Sequence, residues 1–226
     1  MNIQQNITEI RKRIDAAAER SGRRGADITV AAATKYAGAD IIQGLSEYNI
    51  FIAGENRAQD FLEKYALVRN PAIEWHFIGR LQTNKVKYIV DKVRLIHSLD
   101  RLALAEEIDR QCALKNIPCM DALIEVNIGG EQQKGGISPE NVPAFYRGVK
   151  AFKHIKVRGL MTVMPILPNN SEKSSNLYLQ MKGLYDILKG KDKNIDILSM
   201  GMSDDFEVAI EHGATLIRLG RVLFCE

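Results

Sequence analysis

The sequence predicts an α/β fold, a single (β/α)8 barrel with an extra helix at its N-terminus. Eight short apolar runs alternate with stretches of helical periodicity along all 226 residues, the pattern of a parallel sheet with crossover helices. No GxGxxG follows the first run, which counts against an open dinucleotide-binding sheet. No linker divides the chain, and its length suffices for one substantial core.

Residues 3–20 place Ile3, Ile7, Ile10, Ile14 and Ala17 at helical spacing, and Ser21-Gly22 stops that helix. The first strand, Ile28 to Ala33, ends in Thr34-Lys35, and a helix from Asp40 to Tyr48 follows. Ile50–Ala53 is the second strand, with Gly54-Glu55-Asn56-Arg57 as its loop and a helix to Val68. Ile73–Ile78 is the third, followed by Gly79 to Lys85 and a helix to Val93. Leu95–His97 is the fourth, with its helix over Leu102–Lys115. Met120–Val126 is the fifth; its loop, Asn127 to Pro139, is long and Gly-rich, and a helix runs on to Lys153. Val157–Met161 is the sixth, then a polar loop through Pro165 and Pro168 and a helix from Ser171 to Leu188. Ile195–Ser199 is the seventh, with a short helix from Asp205 to His212, and Thr215–Leu219 is the eighth. The chain ends soon after, without room for a full eighth helix. The N-terminal helix is expected to cover that side.

Composition excludes several classes of function. There are 31 Lys and Arg against 28 Asp and Glu, a net charge of +3, so neither nucleic acid nor a membrane is implied as partner. Lysines cluster at Lys85, Lys87 and Lys92 and at Lys189, Lys191 and Lys193. Without interleaved aromatics these read as solvated helix faces, not base-stacking surfaces. Cys112, Cys119 and Cys225 form no CxxC pair and have no metal-ligand spacing. A reducing, cytoplasmic location is expected, since neither a leader pattern nor a run of membrane-spanning length is present.

Barrels of this kind place their sites at the C-terminal ends of the strands. Those ends carry Lys35, Asn56, His76, His97-Ser98, Asn127, Met161-Thr162, Ser199 to Ser203 and Arg218 to Arg221. Ser203 stands where a helix N-cap would be, and Gly220 lets the backbone approach a ligand without a side chain between. Loops after strands seven and eight that offer amides, a hydroxyl and arginines describe a phosphate site. A lysine ending strand one and an asparagine at strand two, opposite that cup, suit pyridoxal phosphate. The amine would form a Schiff base, with burial lowering its pKa. Each residue also has a plainer reading. A lysine after a strand is usually solvated, Asn56 can be a turn residue, and His76 beside Trp75 and Phe77 reads as a hydrogen-bonded core histidine. No second His or Cys lies near it in sequence to make a metal site. Asp204 and Glu207 have capping-box spacing.

Thr34-Lys35, Gly54 to Arg57, Trp75 to Gly79, Leu81-Gln82, Asn84-Lys85, Ile96 to Ser98, Val126 to Ile128, Arg158 to Thr162, Leu198 to Glu207 and Arg218 to Arg221 together resemble the pyridoxal phosphate homeostasis proteins. The resemblance runs from about residue 7 to residue 224, with Gly201-Met202-Ser203-Asp204 its most specific stretch. It implies an alanine-racemase-type barrel that binds pyridoxal 5′-phosphate in vitamin B6 balance, without known turnover. It makes Lys35 the Schiff-base lysine, and Ser203, Gly220 and Arg221 phosphate contacts. Arg218 becomes the neighbour of the pyridine nitrogen, and Asn56 a residue close to the ring. Two departures, Tyr36 and the short tail Phe224-Cys225-Glu226, are expected to lie off the site.

Two functions remain: a cofactor carrier or buffer serving apo-enzymes that use pyridoxal phosphate, or an amino-acid racemase or decarboxylase. Related barrel enzymes add a β-domain that supplies a second catalytic residue across a dimer interface, whereas this sequence stops at Glu226. Racemisation needs an acid or base on each face of the ring, and only the Lys35 face is clearly furnished. A monomeric, non-catalytic, metal-free binder is therefore the expectation.

Overall fold

Runs such as Thr-Val-Ala-Ala-Ala and Met-Asp-Ala-Leu-Ile-Glu put apolar side chains on both faces of a strand, as burial between a barrel interior and a helical layer requires. In a computed structural model, which describes residues 3–131, 133–165 and 172–224, they form β1 (Thr29–Ala33) and β5 (Met120–Glu125). The others are β2 (Ile52–Glu55), β3 (Glu74–Phe77), β4 (Leu95–Leu99), β6 (Ile155–Met161), β7 (Ile197–Ser199) and β8 (Leu216–Leu219). All pair in parallel, in chain order, and β8 returns to β1 through Thr29 opposite Leu216 and Ala31 opposite Arg218. The predicted barrel is closed.

The α-helices are α1 (Ile3–Arg20), α2 (Ala39–Gly44), α3 (Ala58–Leu67), α4 (Val86–Ile89), α5 (Leu102–Leu114), α6 (Val142–Val149), α7 (Glu172–Lys189), α8 (Phe206–Glu211) and α9 (Arg221–Phe224). Helix α1 buries Ile7, Ile10, Ile14, Ala17 and Ala18, a stripe at the spacing of one helical face. That face packs on α8 and α9. Arg13 binds Glu207 at 2.7 Å, and Asn6 Nδ2 donates to Leu223 O at 3.2 Å. The N-terminal helix thus covers the side where α9 offers a single turn, as expected.

The main core lies between strands and helices, with Phe61, Phe77, Ile96, Ile124, Leu198 and Ile217. Leu95, Leu123 and Met161 form a small second cluster. Beside it stand buried polar side chains, His76, His97, Ser199 and Arg218.

Several expected boundaries move. The second strand is Ile52–Glu55 instead of Ile50–Ala53, because Gly54 and Glu55 pair with His76 and Phe77 of β3. The fourth extends to Leu99, and the helix expected up to Val93 is only α4 behind a 3-10 turn at Thr83–Lys85. The Asp204–Glu207 capping box does not form: α8 starts at Phe206, Glu207 binds Arg13, and Asp204 binds Arg221. Pro168, the Ser171 helix start and Cys225 lie outside the described residues. Among the described residues no helix is long and apolar enough to cross a membrane.

Candidate functional site

The ends of β1, β2 and β8 and the loop after β7 surround a cavity of about 340 Å³. Its lining includes Lys35, Asn56, Ser203, Arg218, Gly220 and Arg221, so all six residues singled out from the sequence meet there. Tyr36, Ile78, Val163 and Met202 complete much of the wall.

Lys35 sits on a 3-10 turn, Thr34–Tyr36, directly after β1. The expected burial is not observed: its side chain is exposed, with Nζ 4.9 Å from the centre of the Tyr36 ring. The turn ends the strand at the cavity rim, which leaves the amine at the mouth. Tyr36, expected off the site, lines it, because the tight turn keeps residues 35 and 36 on the same side.

Beneath the turn is an ion pair that sequence reading missed. Glu55 is completely buried, and its Oε1 accepts from Thr34 Oγ1 and from Lys64 Nζ, both at 2.7 Å. Lys64 also donates to Thr34 O at 2.7 Å, and Glu55 Oε2 accepts from Asn56 N at 3.3 Å. A buried carboxylate is tolerated only with such partners. Here they tie the Lys35 turn to the residue before Asn56. Lys64 comes from α3, and no spacing in the sequence announces its meeting with Glu55.

On the opposite wall, Gly201 turns the chain out of β7 with φ +95°, where a Cβ would stand 2.6 Å from that of Ala209. Ser203 does not cap α8. Its Oγ instead accepts from the amides of Gly220 at 3.4 Å and Val222 at 3.3 Å, at the start of α9. Gly220 itself passes close to β1, since a Cβ there would lie 3.3 Å from Ala33 O. The Arg221 guanidinium is held by Asp204 at the surface. Asp205 turns away from the cup, accepting from Met202 N and from Tyr178 OH, both at 2.6 Å.

Arg218 forms the floor and is buried. Its Nη1 donates to Ser199 O at 3.0 Å and Ser199 Oγ at 2.6 Å, and its Nη2 to Thr162 O at 2.7 Å. Burial lowers its pKa to about 10, which still leaves it charged at neutral pH. Below it, Ser199 Oγ lies 3.3 Å from His97 Nδ1, and His97 Nε2 lies 3.0 Å from His76 Nδ1. The sequence suggested no second histidine near His76; strand pairing brings His97 into contact with it. Among the described residues no set of three or more His, Cys, Asp or Glu is placed to hold a metal ion. Burial holds His76 down at about 3 and His97 well below its ordinary value, so both are neutral. Glu125, ending β5, is pushed up to about 7 by burial and then by Asp100, and its Oε2 is buried without a hydrogen-bond partner.

The family model described as alanine racemase, N-terminal domain, matches residues 2–226. A pyridoxal phosphate homeostasis protein of Aquifex aeolicus is 45% identical over 228 residues, covering 100% of this chain and 99% of its own. The chain belongs to the pyridoxal phosphate homeostasis family. A family member from Pseudomonas aeruginosa is 34% identical, covering 98% of this chain and 94% of its own. The homeostasis-family chain also superposes on PipY of Synechococcus elongatus PCC7942, solved with PLP bound. The TM-score is 0.83 at 26% identity, over 99% of this chain and 100% of that one. Alanine racemase of Clostridium difficile 630 gives a TM-score of 0.73 at 14% identity, over 97% of this chain and 55% of that chain. That likeness is one of fold alone.

Proposed function

We propose that this chain binds pyridoxal 5′-phosphate in the cavity at the ends of β1, β2 and β8, and serves intracellular vitamin B6 homeostasis as a non-catalytic carrier or buffer. The observation that carries the reading is the convergence of Lys35, Asn56, Ser203, Arg218, Gly220 and Arg221 on one cavity. The residues suit the group. The Gly220 and Val222 amides make long bonds to one neutral hydroxyl, and a phosphate oxygen is the better acceptor for both. Lys35, at the mouth of the cavity, would supply the amine that holds the cofactor covalently through its aldehyde carbon, with the carbonyl oxygen lost as water. Asn56 would flank the ring, and Arg218 would stand at its nitrogen. When bound, the cofactor supplies an electron sink; these side chains supply binding and orientation.

Arg218 cannot take a proton from the ring nitrogen and disfavours a second positive charge beside it. Among the described residues of the wall, Lys35 and Tyr36 carry the amine and the phenol on one turn and the Asp204 carboxylate is paired with Arg221, so two-sided acid–base chemistry is poorly furnished. The cofactor would be held and passed to apo-enzymes that use it, by a cytoplasmic monomer.

The test is the absorption spectrum of the purified chain incubated with pyridoxal phosphate, before and after borohydride. A reducible chromophore mapped to the peptide carrying Lys35 is the expected outcome. A chain that keeps no chromophore after desalting overturns the reading.

A further inference from the structure

Four polar side chains run in file through the barrel interior, from the floor of the candidate cofactor cavity toward its opposite end. Arg218 donates to Ser199 Oγ at 2.6 Å; Ser199 Oγ is 3.3 Å from His97 Nδ1; His97 Nε2 is 3.0 Å from His76 Nδ1. His76 lines a separate cavity of about 410 Å³ at the strand N-termini, with Arg94, Asp121 and Arg158. All four are buried, His97 completely. A file of hydrogen-bonding groups in a barrel interior is costly unless each member is satisfied.

Arg218 fixes the direction at one end. Arginine is donor-only, so Ser199 Oγ accepts from Arg218, and its own proton is left available to His97 Nδ1. A neutral imidazole that accepts at Nδ1 carries its proton on Nε2. In that arrangement the Nε2 proton goes to His76 Nδ1, His76 keeps its own proton on Nε2, and every hydrogen in the file points away from the candidate cofactor cavity.

We propose that His97, acting through Ser199, is a positioning residue for Arg218: its Nδ1 takes the serine proton, fixing the serine oxygen as an acceptor for the guanidinium. A guanidinium has five N–H donors, and Arg218 commits three of them to Ser199 O, Ser199 Oγ and Thr162 O. The file thereby sets where the remaining two, on Nε and Nη2, are aimed. The ring contact in this inference rests on the binding reading above; the hydrogen-bond file does not.

Long-range ¹H–¹⁵N NMR on the chain without cofactor tests the file itself. Both His76 and His97 are expected as the Nε2–H form between pH 6 and 8 (roughly the window around an ordinary histidine pKa). A proton on His97 Nδ1 overturns the proposal. With pyridoxal phosphate, Ser199→Ala and His97→Leu should each displace the absorption maximum of bound cofactor and weaken binding about tenfold. The double variant should be no worse than either single one, because the two act in series, and His97→Gln, which retains an acceptor, should restore much of the loss. Additive effects overturn the proposal, as does an unchanged spectrum in a folded His97→Leu chain. If His97→Leu does not fold, Ser199→Ala with the tautomer measurement decides the matter. A wild-type chain that takes up no pyridoxal phosphate overturns the cavity assignment instead, and the tautomers in that sample still test the file.

Discussion

Lys64 Nζ reaches Glu55 Oε1 at 2.7 Å across the seam between α3 and β2, where the carboxylate has no exposed surface. The same ammonium holds Thr34 O, so one contact supports both the turn bearing Lys35 and the strand end before Asn56. Replacing Lys64 leaves a buried charge with one hydroxyl and one amide for company. Lys64→Met should cost about 3–5 kcal/mol of stability, measured by urea denaturation. A loss under about 1 kcal/mol would mean that the pair contributes little.

Glu125 gives a pH dependence of known sign. Burial and Asp100 raise its pKa from 4.5 to about 7, so between those values the folded chain holds a proton that the unfolded chain has released. Stability from this group is fully present below pH 4.5 and lost as pH rises through about 7. Glu125→Gln, which stays neutral, should therefore gain on the wild type by up to about 3 kcal/mol between pH 4.5 and pH 8. Paired denaturation curves at the two pH values are the measurement. A constant difference between the proteins would place Glu125 in water.

Lys35→Ala should abolish the borohydride-reducible link yet retain binding. The cup of Ser203, Gly220 and Arg221 comes from the loop after β7 and from the junction of β8 with α9, and depends on no atom of the amine. Equilibrium dialysis should show affinity reduced by tenfold or more, about 1.4 kcal/mol or above, but still measurable. Complete loss in a variant with unchanged circular dichroism would defeat the two-anchor arrangement.

Exchange of the α-proton of alanine or serine should be very slow with the cofactor bound. The wall carries its amine and its phenol on a single turn, and Arg218 on the floor stays charged. Deuterium incorporation from solvent, followed by NMR, reads the rate directly. Exchange on the order of 1 per second or faster would identify a catalyst.

The sequence by itself determined the barrel and the end of it at which the six candidate residues gather. Periodicity is a local property, so eight apolar runs and the helical stretches between them could be read without knowing what each touches. Once the strands are parallel, their C-terminal ends must share one rim, and Lys35, Asn56, Ser203, Arg218, Gly220 and Arg221 fell on one cavity. What the tertiary structure alone decided is which polar side chains answer one another. Gly54-Glu55 looked like loop because a carboxylate in a strand has no partner in its own neighbourhood; Lys64 of α3 supplies one. His76 and His97 meet through the pairing of β3 with β4. Ser199 reaches Arg218 because β7 and β8 are adjacent, and closure of the ring sets Arg218 beside Ala31 of β1. Tyr36 enters the site because a 3-10 turn, not a continuing strand, follows Ala33. Such contacts depend on register and ring closure, which join residues far apart in the chain and leave no period in the sequence.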